Sequence, residues 1–188
     1  MHTSTPSLEY RRLAGRSRSE LERLLVRGET PSLEGIEATE YGGWNRPRHL
    51  AVLGIRKFVK GFFRTADGQH AGYNTPVRQD GLDHGWSARP TDEQPKRFGF
   101  YRVSPVDPAA RDNRYLHPLL LDYGRGGNPR SDVSRFLRDY LVRPDPGSDE
   151  LLLGKAYLAL GRGRVFSNFF LLQRLGSAPG PPPTLPSR

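Results

Sequence analysis

The stretch 164–174, RVFSNFFLLQR, decides the fold. Read at a period of two, it puts Val165, Ser167, Phe169 and Leu171 on one face and Phe166, Asn168, Phe170 and Leu172 on the other. A strand that is apolar on both faces needs cover on both, which suits a barrel whose outside is partly wrapped by a helix. Closure also removes the exposed edges of an open sheet.

Working outward, short aromatic and branched segments separated by Gly, Pro, Asp and Asn continue back to residue 40. They predict strands within 39–44, 50–55, 57–64, 70–78, 97–104, 115–123, 137–143, 151–160 and 164–174. Gly54, Gly61, Gly72, Gly99, Gly154 and Gly161 end these strands or permit bends. Upstream, SRSELERLLVRG offers Ser17 and Glu20 as a capping pair, Leu21, Leu24 and Leu25 as an apolar side, and Gly28 as a stop. It predicts one short helix over 18–27. The expected fold is mainly β and antiparallel, a closed barrel of about eight to ten strands preferred over a sandwich, with a short N-terminal helix.

At 188 residues and 21.2 kDa the chain can bury one core. Three parts are expected: a loose basic N-terminus at 1–16, a single barrel domain with its helix at 17–175, and a flexible tail at 176–188. The tail, GSAPGPPPTLPSR, holds five Pro and two Gly in 13 residues.

Lys and Arg total 29 against 20 Asp and Glu, a net charge of +9. Residues 1–19 hold four Arg and one Glu and the tail holds Arg188, so only +5 remains across 20–175. Arg56, Lys57, Lys60 and Arg64, interleaved with Phe58, Phe62 and Phe63, read as a solvated basic face mixed with core aromatics. No coherent nucleic-acid footprint emerges, and nucleic acid is not an expected partner. The absence of cysteine excludes a disulfide scaffold, a thiol nucleophile, a thiolate zinc site and cysteine-ligated iron–sulfur clusters. No apolar run approaches the roughly 20 residues that cross a bilayer, and the N-terminus lacks a secretory apolar core. The expectation is a soluble, cytoplasmic protein with no transmembrane association, in which a homodimer remains open.

Polar residues within apolar strands nominate a pocket: His117, Asp122, Tyr123, Asp139, Tyr140, Lys155, Tyr157 and Asn168. Alternation puts Tyr115, His117, Leu119, Leu121 and Tyr123 on one face with Asp122 opposite, and Lys155 with Tyr157. Lys155, bounded by LLLG and AYLAL, is either a desolvated acid–base or anion-holding group or a snorkelling side chain. His117 can exchange a proton near neutral pH or serve as a satisfied structural histidine. Asp122 and Asp139 form a carboxylate pair if their strands approach, or pair with neighbouring Arg. Candidate catalytic residues are thus His117, Asp122, Lys155 and Tyr157. Candidate ligand contacts are Trp44, Tyr73, Asn74, Tyr101, His117, Lys155 and Tyr157, the aromatics having core packing as their alternative. The five histidines lack compact metal-ligand spacing, and no HExxH, Gly-x-Ser-x-Gly, Walker A or dinucleotide motif is present. Neither metal nor cofactor is expected.

The order of a short helix, an early Gly-x-Trp at Gly42, Gly43, Trp44 and Asn45, and successive strands resembles the calycin or lipocalin-like group. The strands concerned are HLAVLGIRKFVKGFF, HAGYNTPV, KRFGFYRV, YLHPLLLDYG, LLLGKAYLAL and RVFSNFFLLQR, and the likeness covers residues 30–175. The resemblance implies a barrel enclosing a lipophilic small molecule, with Gly42 and Trp44 as the structural pair at its entrance. Some members carry out isomerisation, cyclisation or haem chemistry, but no catalytic position carries over. The paired cysteines of many extracellular members are missing, so a secreted carrier is not implied. The leading expectation is binding of a lipophilic molecule, with or without a carboxylate, in the barrel. The alternatives are a cofactor-independent isomerase or cyclase acting on a hydrophobic small molecule, and a protein-interaction module.

Overall fold

The computed structural model describes residues 5–46, 55–110, 113–161, 163–178 and 185. Eight strands follow one another around a closed antiparallel barrel: β1 (Thr39–Arg46), β2 (Lys57–Arg64), β3 (His70–Pro76), β4 (Phe98–Pro105), β5 (Leu119–Asp122), β6 (Leu137–Val142), β7 (Leu151–Leu160) and β8 (Gly163–Ser177). Each pairs with its sequence neighbour. A seam between β1 and β8, from Thr39↔Ser177 to Arg46↔Phe169, closes the ring. The segments 57–64 and 151–160 form strands with the expected limits. The expected strand 50–55 lies outside the described residues except for Ile55.

Alternation sorts the side chains into two cores. Tyr41, Phe58, Phe62, Tyr101, Val103, Leu119, Leu121, Leu141, Leu152, Phe170 and Leu172 fill the barrel. An eight-stranded barrel has an interior about wide enough for its own side chains, and most of this one is packed. Small inward residues on β7 make room: a Cβ on Gly154 would lie 1.9 Å from Cζ of Phe170. Leu153, Lys155 and Tyr157 therefore point outward.

The outer core lies beneath helices. Ser17 and Glu20 form a complete capping box at the start of α2 (Arg18–Arg27), which buries Leu21 and Leu25. Segment 8–15, expected to be loose, is helix α1 (Leu8–Gly15), capped by Ser7 and burying Tyr10, Leu13 and Ala14. Those three residues share one helix face, while Arg11 and Arg12 point to solvent. Tyr10 straddles the seam, its hydroxyl 3.4 Å from the carbonyls of both Gly42 and Leu171. The short α3 (Leu33–Ile36) places Ile36 in the interior cluster and covers one end of the barrel.

Two further departures from expectation have local causes. The strand expected over 115–123 is confined to β5, because Pro118 has no N–H for the ladder and Tyr123–Arg125 turns as a 3-10 helix. The last strand runs on to Ser177, into the segment expected to be tail, and the Ala178 N–H donates to the Ala38 carbonyl at 2.8 Å. Leu185 rests against Phe63, Ala71 and Tyr73. Among the described residues no helix is long and apolar enough to cross a membrane.

Candidate functional site

At the end opposite α3 the barrel interior opens to solvent. Phe58, Phe98, Phe170, Ile55, Leu137 and Ala156 make the apolar wall of this mouth cavity. The cavity has a volume of about 60 Å³. Asn168 and Asn45 are linked at the rim by a 2.8 Å amide hydrogen bond.

The polar floor comes from four elements. Lys60 on β2 alternates with Phe58 and Phe62 and so faces inward, directly across the ladder from Asn74 of β3. Asp139 is the central inward residue of β6, and Tyr123 follows β5. Lys60 Nζ donates to Tyr123 Oη at 2.6 Å and to Asn74 Oδ1 at 3.1 Å. The Tyr123 hydroxyl donates to Asp139 Oδ2 at 3.2 Å, which leaves Lys60 3.6 Å from the same carboxylate oxygen. Asn74 is held by its Nδ2, which donates to the Gly99 carbonyl at 2.9 Å. Asp139 Oδ1 is buried with no hydrogen-bond partner.

Burial dominates the electrostatics. Lys60 is 1% exposed and Asp139 3%. Desolvation lowers the Lys60 pKa to about 8, against the opposing pull of Asp139. Desolvation also raises the Asp139 pKa, with Lys60 and Tyr123 working the other way. The Tyr123 hydroxyl is pushed well above its usual value by burial and by Asp139. Both members of the ion pair are thus drawn toward their neutral forms, since 3.6 Å is too long for the attraction to offset desolvation.

The chain has only four lysines against 25 arginines, and three of the four are buried. Lys57 faces outward, its Nζ 2.5 Å from Asp80 Oδ1 and within 3.3 Å of the carbonyls of Gly81, His84 and Gly85. Lys155 also faces outward, beneath α2, with Glu22 Oε2 and Tyr115 Oη each at 2.6 Å. Lys60 alone among the three lines the mouth cavity and lacks a close carboxylate.

The sequence candidates divide accordingly. Asn74, Tyr123, Asp139 and Asn168 line the cavity, and Tyr101 lies beside it with its ring centroid 4.4 Å from Lys60 Nζ. The four candidate catalytic residues lie elsewhere. Lys155 and Tyr157 sit in an outer aromatic cluster under α2, where Tyr157 packs edge-on to Tyr140. His117 is exposed, its Nε2 meeting the Leu25 carbonyl at 3.1 Å. Asp122 pairs with Arg138 at 3.1 Å and caps the turn at Arg125, so it forms no carboxylate pair with Asp139. Tyr73 points outward and donates to Glu40 at 2.8 Å. Trp44, expected at the entrance, packs on the outer face beneath the Arg56 guanidinium. Gly42 is instead the seat of Trp86, whose ring would lie 2.3 Å from a Cβ there.

Lys60 was hidden by the basic run around it, although Phe-x-Lys-x-Phe alternation marks it as inward. Leu-x-Asp-x-Leu at 137–141 marks Asp139 in the same way. Compared with known proteins, the chain matches no family model, no curated protein and no solved structure.

Proposed function

We propose that the protein is a calycin-like barrel that binds a small, predominantly apolar molecule in its mouth cavity, with the molecule's polar end at Lys60 and Asp139. The observation that carries this reading is the unpartnered Asp139 Oδ1 at the floor of an aromatic and aliphatic cavity. A buried acceptor without a donor costs roughly 1–3 kcal/mol, which a ligand hydroxyl offsets. Phe58, Phe98 and Phe170 supply the apolar contact, in the mixture usual for a small-ligand site. A neutral polar end suits the floor better than a carboxylate, because Asp139 already opposes the Lys60 charge. The volume favours a compact ligand over a long acyl chain.

Native mass spectrometry of protein purified from its own host, followed by organic extraction and accurate-mass analysis, tests the proposal. The expected result is a reproducible small molecule that Lys60→Met loses and Lys155→Met retains. Retention by Lys60→Met places the ligand outside the mouth cavity and overturns the reading.

One observation favours a second reading, a cofactor-independent isomerase or cyclase. Lys60 and Asp139 are each driven toward neutrality and are bridged by the Tyr123 hydroxyl, an arrangement suited to proton transfer near neutral pH. Conversion of the extracted compound by the purified protein distinguishes turnover from binding.

A further inference from the structure

We propose that Lys60 forms a reversible Schiff base with a short-chain aldehyde admitted through the barrel mouth. The inference rests on the mouth cavity being the ligand site and names the chemical class of the ligand.

The first argument is the set of partners around Nζ. A lysine kept for charge sits against a carboxylate, as Lys57 and Lys155 do at 2.5 and 2.6 Å. Lys60 is held instead by a phenol and an amide, with its nearest carboxylate at 3.6 Å. The rings of Phe58, Tyr101, Tyr123 and Phe170 lie within 5.7 Å of Nζ and keep the bulk of water away. With a pKa of about 8, Lys60 is half free amine at pH 8, against about one part in 300 for an ordinary lysine.

The second argument is the orphaned oxygen. A carbonyl oxygen has no hydrogen to give Asp139 Oδ1, but the carbinolamine formed from it does. The site is therefore more complementary to the intermediate than to the free aldehyde, which is the condition for accelerating its formation. The Nζ lone pair attacks the carbonyl carbon, and the carbonyl π pair moves to oxygen, which takes up a proton while the nitrogen gives one up. Asp139 Oδ1, which accepts the carbinolamine hydroxyl's hydrogen while ionised, takes up a proton from solvent at the mouth and delivers it to that hydroxyl as the carbon–oxygen bond breaks. The aldehyde oxygen leaves as water carrying one former amine hydrogen and that proton, while the nitrogen lone pair closes the carbon–nitrogen double bond. The product is an iminium cation, with the second amine hydrogen still on nitrogen, facing the Asp139 carboxylate. No oxidant or reductant is involved, and water reverses the sequence.

The small number of lysines makes the test clean. The full chain is incubated at pH 8 with butanal and cyanoborohydride, digested, and mapped by mass spectrometry at Lys57, Lys60, Lys96 and Lys155. Lys96 is exposed and serves as the internal standard. The expected result is N-butylation of Lys60 at least about tenfold faster than Lys96, with Asp139→Asn slowing Lys60 alone. Saturation-transfer NMR with 1-butanol, in wild type and in a folded Ala156→Leu variant whose cavity is filled, reports binding without chemistry. Butanol bound in the cavity with Lys60 labelled no faster than Lys96 overturns the Schiff base and leaves the binding reading standing. Neither butanol binding nor selective labelling overturns both.

Discussion

Replacing Lys60 by Met removes a buried ammonium while keeping most of the side chain's apolar bulk, and the consequence is a change in how stability follows pH. Burial lowers the Lys60 pKa from 10.5 to about 8, so between those values the unfolded chain binds more protons than the folded one. The free energy of unfolding then rises with pH; the favourable contribution is complete above 10.5 and lost as pH falls through 8. For one proton with these two constants the rise between pH 7 and pH 9 is about 1.4 kcal/mol. Buried tyrosines act in the opposite sense, because their folded-state values are raised and the unfolded hydroxyls ionise first. At pH 9 they remove only about 0.4 kcal/mol together, and the two proteins share them. The raised Asp139 pKa gives a contribution that falls with rising pH, more so once its cation is gone. Urea unfolding followed by the fluorescence of the buried Trp44 and Trp86 measures the balance at pH 7, 8 and 9. Wild type is expected to gain about 1 kcal/mol over this range, and Lys60→Met to stay flat or lose stability. A variant that gains as steeply as wild type would refute the assignment of a desolvated cation to this position.

Gly154→Ala drives a methyl group into the Phe170 ring and is expected to cost about 1–3 kcal/mol, read as a lower Tm; an unchanged Tm contradicts the packing of that ring on β7. Lys155→Met leaves ligand retention unchanged but speeds amide exchange in α2, since its ammonium ties Glu22 to the barrel. Glu22 is 38% exposed, so a double-mutant cycle with Glu22→Gln should give a coupling below about 1 kcal/mol, and a larger value means the pair is better shielded. Ser17→Ala removes the α2 cap and is expected to cost about 1 kcal/mol in urea unfolding, with Ser17→Asp restoring most of the loss.

Closure was legible because 164–174 is apolar on both faces, a pattern that only two-sided cover satisfies. Strand limits were sharp where the chain itself marks them, as Gly161 does after β7. Which face of a two-sided apolar strand turns inward is a different matter. Nothing within LLLGKAYLAL says that Gly154 and Ala156 belong inside and Lys155 outside; the Phe170 ring across the ladder decides it. Lys155, isolated between apolar runs, therefore has the sequence context of a pocket lysine, and Lys60 does not. Charge counting obscured Lys60 further, because Arg56, Lys57, Lys60 and Arg64 look like one patch until alternation separates Lys60 from Lys57. Helix α1 escaped notice for a related reason: its three buried residues are diluted by the arginines of its solvent face.

The β1–β8 seam has a consequence for the order of assembly on the ribosome. Seven of the eight ladders join strands that leave the exit tunnel one after the other, while the eighth waits for the last strand. Until β8 emerges, β1 presents a bare edge on which a second nascent chain can template. Helix α1 is synthesised before every strand, yet its docking platform is completed only when Leu171 and Gln173 arrive beside Gly42. A helix made before every strand is thus the last element to find its place.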